Sequence, residues 1–185
     1  MSKVFVMYNL IAFNQLPYYI DKEVKLSQSM TIIRYLSKKY HLDGHNELER
    51  TRIDLIENQL KDYRADYLSA TFDPHFEVAK ADYLKKLPKT LEELSRFLGI
   101  HAFFAGNSIS YVDFIAYEFI DLHFYLEPEM FANYDNLKNF LLRIEEIPQI
   151  NKYQYSDNYI RWPSGLCVRW YKSKFYSTFN KVIKH

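Results

Sequence analysis

Cysteine is nearly absent from this sequence. Cys167 is the only one among 185 residues, so no intramolecular disulfide can form, and a thiolate zinc site would lack ligands. That scarcity suits a reducing compartment, and the cytoplasm is the expected location. Glycine is also scarce: Gly44, Gly99, Gly106 and Gly165 are the whole supply. Four isolated glycines build neither a P-loop nor a dinucleotide fingerprint. Apolar runs stay well short of the ~20 residues a membrane-spanning helix needs, and the start MSKVFVMYNL lacks a small-residue cleavage site. Charge of one sign is missing too. The balance of 24 Lys+Arg against 23 Asp+Glu leaves a net +1, which gives no global field for nucleic acid. The six histidines (His41, His45, His75, His101, His123 and His185) show no metal-ligand spacing, so no metal is expected and they read as surface or core residues. There are no internal repeats and no low-complexity stretch.

What is present is a folding composition. Hydrophobic residues make up 48% and charged residues 25%, enough for one large domain or two small ones with a buried core. The 17 Tyr and 14 Phe suit an aromatic core, an apolar pocket or an interface, and composition alone does not choose among these.

The N-terminal part reads as a short mixed segment with strands over 3–11 and 16–26. KVFVMYNLI (3–11) is β-branched and aromatic, and LPYYIDKEVKL (16–26) suggests two short strands around a turn at Asp21-Lys22. Leu16-Pro17 suits a cis bond at the strand entrance. From Ser27 the period becomes helical. Ser27, Gln28 and Ser29 supply an N-cap, Ile32, Ile33, Leu36 and Tyr40 form one face, and Gly44 ends it.

Beyond this the chain reads as all-helical. Residues 47–72 place Ile53, Ile56, Leu60, Tyr63 and Tyr67 on one stripe, with Glu57 and Lys61 outside as an i,i+4 pair. Asp73-Pro74 breaks that helix. The next carries Tyr83, Leu84, Leu87, Leu91, Leu94 and Leu98 and stops at Gly99. Ser110 to Asp113 forms a capping box, so Asp113 reads as a structural cap and not as a catalytic acid. The following run 114–126 is apolar nearly all round, the pattern of a buried central helix. A further helix spans 136–147, before Pro148. The tail after Asp157 has no acidic residue but carries Arg161, Arg169, Lys172, Lys174, Lys181 and Lys184. Cys167 lies in that tail without a His–Asx partner pattern.

The stretch LPYYIDKEVKLSQSMTIIRYL (16–36) resembles the surroundings of the glutathione-binding motif of glutathione S-transferases. ERTRIDLIENQLKDYR (49–64), FFAGNSISYVDF (103–114), IDLHFYLEP (120–128) and EIPQINKY (146–153) resemble successive mu-class segments, in order. The resemblance runs over about residues 13–185. It implies a mainly α protein: an incomplete thioredoxin-like α/β part over residues 1–43, then an all-α C-terminal domain over 44–185. The family has a strand, helix, strand and further helix before the LPY segment, and about 15 residues are too few for that crossover. A short isoform, a degenerate paralogue and an incomplete gene model would each produce this arrangement.

The resemblance also implies a chemistry. Family members lower the thiol pKa of glutathione by a Tyr hydroxyl that donates to the thiolate, which then attacks an electrophile in an apolar pocket. Tyr8, after a short β-run, resembles that Tyr. Gln28 and Ser29 correspond to residues holding the γ-glutamyl end of glutathione, and Gln15 and Leu16 to the backbone that pairs with its cysteinyl part. Asp62 corresponds to an Asp that reaches the partner subunit's glutathione. Arg64 and Phe72 fall where the family lines its electrophile pocket, and Phe72 replaces a Tyr hydroxyl. Phe13 aligns with an aromatic knob of the dimer interface, and Arg34 with a residue on the dimer axis. The implied protein is a homodimeric transferase that uses glutathione as co-substrate, without a bound cofactor, on hydrophobic electrophiles. Two other functions fit the residues: an inactive dimeric ligand- or partner-binding protein, and a basic aromatic tail that meets anionic membrane or nucleic acid. The net charge argues against the last, so neither nucleic acid nor membrane is an expected partner.

Overall fold

A computed structural model describes Phe13, residues 15–159 and Trp170. The strand expected over 3–11 lies outside these residues. The first elements are β1 (Tyr18–Asp21) and β2 (Val24–Ser27), an antiparallel pair in the register Tyr18↔Ser27 to Asp21↔Val24. Two residues, Lys22 and Glu23, close the hairpin, one position later than the sequence suggests. Lys22 takes φ +51, the left-handed value that a two-residue hairpin loop uses. Leu16-Pro17 is cis. Tyr19, Val24 and Leu26 turn inward, while Tyr18, Ile20 and Lys25 face out.

Helix α1 (Ser29–Lys39) follows β2 directly. Ile32, Ile33 and Leu36 are half-buried as the period requires, but Tyr40 lies past the end and is exposed. Termination falls to His41 at φ +57, three residues before Gly44. Gly44 has a different task. At φ +84 a Cβ there would stand 3.1 Å from Ile53 Cδ1, so the chain turns closely over the next helix.

The helical remainder consists of α2 (Glu47–Phe72), α3 (Phe76–Leu98), α4 (Tyr111–Leu126), α5 (Asp135–Glu145) and α6 (Pro148–Gln154), with a 3₁₀ turn at Pro128–Phe131. Asn46 caps α2 by accepting the Glu49 N–H at 2.9 Å, and the Glu49 carboxylate accepts the His45 N–H at 2.7 Å. Such caps contribute about 1 kcal/mol each. Helix α5 stops at Glu145, before Pro148 as the sequence predicts, and Pro148 itself opens α6 at a first-turn position, where its missing N–H costs no bond.

The core lies between α2, α3, α4 and α5. Ile53, Ile56 and Leu60 of α2 meet Leu87, Leu91 and Leu94 of α3, Val112, Ala116 and Ile120 of α4, and Phe140 and Ile144 of α5. Helix α4 is the central one, with only Glu118 and Tyr125 exposed. The capping box forms at its start. The Asp113 carboxylate accepts the Ser110 N–H and hydroxyl at 2.8 Å each, and also the Phe104 N–H at 2.7 Å. Burial pushes the Asp113 pKa up, and these bonds oppose the shift. One reading of the sequence fails in α2: Glu57 is not on the solvent face but 7% exposed.

Candidate functional site

The hairpin register sets the geometry of the site. Because Tyr18 pairs with Ser27, the chain before Tyr18 and the chain after Ser27 run past the same end of the sheet. Gln15 and Leu16, which lead into β1, and Gln28 and Ser29, which follow β2, therefore lie at the same end of the hairpin from positions more than ten apart in sequence. Leu16 and the residue pair Gln28-Ser29 are exposed there, open to a ligand.

Ser29 is the first residue of α1 and not its cap. Gln28 holds the cap position, and no side chain caps this helix among the described residues. The N-cap position thus falls within Ser27-Gln28-Ser29 as expected, but without the side-chain hydrogen bond of a cap. The first turn holds no acidic residue, so its N–H groups and the positive end of the helix dipole are suited to a carboxylate. Gln28 adopts φ +72 and ψ 112, a conformation that costs a non-glycine residue of order 1–3 kcal/mol and gathers at ligand clamps.

The remaining residues singled out in the sequence lie on α2 and just before the hairpin. Asp62 and Arg64 are exposed on α2 and form no hydrogen bond or ion pair among the described residues. Phe72 ends α2 with 66% of its surface exposed. Phe13 is 61% exposed, and its carbonyl accepts the Gln15 N–H at 2.8 Å. Tyr8 and Cys167 lie outside the described residues. Among the described residues, no cluster of three or more His, Cys, Asp or Glu could hold a metal, and no helix is long and apolar enough to cross a membrane.

Arg34 has a partner that sequence reasoning did not supply. Its Nε donates to Glu57 Oε2 at 3.0 Å, and its Nη2 forms an ion pair with Oε1. The Tyr111 hydroxyl donates to the same Glu57 carboxylate. Burial and this carboxylate both push the Tyr111 pKa up, and the carboxylate raises that of Arg34. A signal was available: Glu57 stands four residues after Ile53 and three before Leu60, on the buried stripe itself.

A groove of about 700 Å³ runs between α2 and α3. Leu55, Ile56, Leu94 and Phe97 supply its apolar part, Arg52, Gln59, Lys89 and Arg96 give it a polar rim, and Tyr63 donates to Glu93 at 2.6 Å along one side. A second buried cluster surrounds Trp170. Its indole N–H donates to Thr71 Oγ1 at 2.7 Å, and its ring stacks on Tyr67 with centroids 5.2 Å apart. Beside it, the Tyr83 hydroxyl and His123 Nε2 are 2.7 Å apart, and His123 Nδ1 lies 2.6 Å from the Phe119 carbonyl.

This arrangement of a hairpin, a connecting helix and a helical bundle matches known proteins. Residues 61–157 match the family model of the glutathione S-transferase C-terminal domain. Among solved structures, the glutathione S-transferase Blo t 8 superposes with a TM-score of 0.73 at 27% identity, covering 80% of this chain and 71% of that one. The pi-class glutathione S-transferase of Onchocerca volvulus gives 0.72 at 29% identity, covering 82% and 74%. The chain belongs to the glutathione S-transferase family.

Its relatives narrow the class to mu. Glutathione S-transferase Mu 1 of Mus musculus is 42% identical over 82% of this chain and 69% of its own length. The class-mu 26 kDa isozyme 51 of Fasciola hepatica is 43% identical over 80% of this chain and 68% of its own. A glutathione S-transferase of Tyrophagus putrescentiae is 46% identical over 76% of this chain, which spans 65% of that relative. By family the chain is a glutathione transferase.

Proposed function

We propose that this chain binds reduced glutathione at the start of α1 and conjugates it to hydrophobic electrophiles, a detoxifying reaction of the reducing cytosol. The observation that carries the reading is the uncapped start of α1. Its first-turn N–H groups and Ser29 hydroxyl are available to the γ-glutamyl carboxylate, beside the backbone of Gln15 and Leu16. In this reading residues 1–43 are the glutathione half and 44–185 the helical half. Tyr8 is the thiolate's hydrogen-bond donor, while Arg64 and Phe72 line the electrophile side. Phe72 has no hydroxyl to assist the reaction, so that side is purely apolar at this position.

The working unit is a homodimer. An exposed aromatic knob needs apolar and cationic contacts, and the α2–α3 groove offers Leu55 and Phe97 with the Arg52 and Arg96 guanidiniums beside them for Phe13 of a second copy. Asp62, without a partner in its own chain among the described residues, is then the group that reaches the amino end of the other subunit's glutathione. Arg34 keeps 52% of its side chain exposed, which leaves it room at the dimer axis.

The test is conjugation of glutathione to a generic aryl halide by the purified chain, against the uncatalysed rate. A rate above background that falls in Tyr8→Phe supports the full reading. A folded dimer that binds glutathione without turnover reduces it to a binding protein. A chain that neither binds nor turns over glutathione removes it.

A further inference from the structure

The hairpin and α1 carry the glutathione half, yet apolar packing gives them only a light hold on the bundle. Ser37 is the only fully buried residue of the 11 in α1. Met30 and Ile33 touch the core while partly exposed, and the Tyr111 N–H donates to the Leu42 carbonyl at 2.9 Å. The hairpin in turn rests on α1. The rings of Tyr19 and Tyr35 lie 5.8 Å apart, the Lys39 ammonium pairs with Asp21, and the Tyr19 hydroxyl donates to Asp21 at 3.0 Å. Whatever fixes α1 therefore fixes the hairpin as well.

We propose that Glu57 is a positioning residue of the glutathione site. Its buried carboxylate holds Arg34 of α1 and Tyr111 of α4 together, and so sets the direction in which the first turn of α1 presents its N–H groups. The proposal rests on the reading of Gln28 and Ser29 as the carboxylate site. Three observations support it. Glu57 receives donors from two elements that are 23 and 54 residues away in the chain, so it joins α1, α2 and α4 at one point. Arg34 approaches through both Nε and Nη2, a two-point grip that restrains orientation as well as distance. Arg34 also lies five residues after Ser29, roughly 7.5 Å along the helix at 1.5 Å per residue, so a tilt at Arg34 moves the ligand end directly.

With the Glu57 carboxylate buried and half of the Arg34 side chain still in water, the pair adds little net stability, because desolvating the carboxylate offsets much of the attraction. Its effect here is on placement, which separates it from an ordinary core contact. In the full-length chain, Glu57→Gln keeps the volume and removes the charge. Tyr111→Phe removes one donor without stranding a charge, and serves if Glu57→Gln fails to fold. Arg34→Lys keeps the charge but loses the two-point grip. Hydrogen exchange of residues 29–39 is expected to rise about tenfold in Glu57→Gln, the factor that corresponds to 1.4 kcal/mol, and less in Tyr111→Phe and Arg34→Lys. Exchange in α3 and α5 is expected to stay unchanged. The Kd for glutathione measured by calorimetry is expected to rise by a similar factor. Unchanged α1 exchange overturns the proposal, as does a rise shared equally by α3 and α5, or raised α1 exchange with unchanged glutathione affinity. A wild-type chain that binds no glutathione overturns the functional reading instead, and the exchange data still decide whether Glu57 fixes α1.

Discussion

Ser29 and Ser110 both stand at the start of a helix, yet only Ser110 is tied to a carboxylate of its own chain. Ser110 is consumed by the structure, and Ser29 is left to a ligand. Ser29→Ala is therefore expected to leave stability within about 0.5 kcal/mol of wild type, as surface changes do. Glutathione affinity should fall by roughly tenfold or more, since a hydrogen bond to a charged group contributes about 1.5–3 kcal/mol. A melt and a calorimetric titration on the same preparation check both parts. His123 supplies a pH-dependent prediction. The Phe119 carbonyl can only accept, so Nδ1 carries the ring proton and Nε2 accepts from Tyr83. Burial pushes the His123 pKa down from 6.5 to about 4. Between those values the unfolded chain binds a proton that the folded chain does not. Stability is therefore full above pH 6.5 and declines as pH falls toward 4, by up to about 3 kcal/mol from this group. Urea denaturation at pH 7, 5.5 and 4.5 should show a shallower decline in His123→Gln than in wild type, and parallel declines would refute the assignment.

Among the elements, α2 does the most joining. Its N-terminal half holds α1 through Glu57, its centre packs the core, and its C-terminal end receives Trp170 through Thr71 and Tyr67. Trp170 is 1% exposed and also meets the edges of Phe76 and Tyr83, with Lys80 over its ring at 5.6 Å. It bridges the end of α2 to the start of α3. Trp170→Ala removes a large buried ring and the indole donor to Thr71. The expected loss is roughly 3–5 kcal/mol, read as a fall in the urea midpoint. Trp170→Phe should lose less, because a ring remains to stack on Tyr67 while the bond to Thr71 goes.

For the whole molecule, the exposed surface gives the sharpest expectation. Among the described residues the sheet has two strands, and Tyr18 and Ile20 on its outer face are exposed, as is Phe13 just before it. So small a sheet has little stability alone and leans on α1. Phe13→Ser is expected to shift a micromolar dimer to monomer, because loss of a central aromatic anchor costs about 2 kcal/mol or more, a factor of roughly 30 in Kd. Leu55→Glu attacks the same contact from the groove side and should give the same shift. Size-exclusion with light scattering decides, and two unshifted variants would remove the knob-in-groove interface.

The boundaries of α2, the end of α3 at Gly99, the apolar stripe from Ile53 to Tyr67, and the buried character of α4 are all legible in the sequence. So is the Ser110–Asp113 box, whose partners are three residues apart. Each depends on helical period or on neighbours within one turn, and such information is local. The hairpin turn was misplaced by one residue, because Asp21-Lys22 and Lys22-Glu23 have similar turn chemistry and only strand pairing selects between them. The charge of Glu57 points to solvent, against its position on the stripe. Burial became tolerable only when Arg34 and Tyr111 arrived from 23 and 54 residues away. Trp170 finds Thr71 across 99 residues, a pairing that no local pattern contains. The sequence by itself therefore determined the long helices, the apolar stripes they bury and the family they belong to. The tertiary structure alone decided which charges are internal, which serine is left uncapped, and how α1 is aimed, because each of these depends on a partner that the chain supplies only after it has folded.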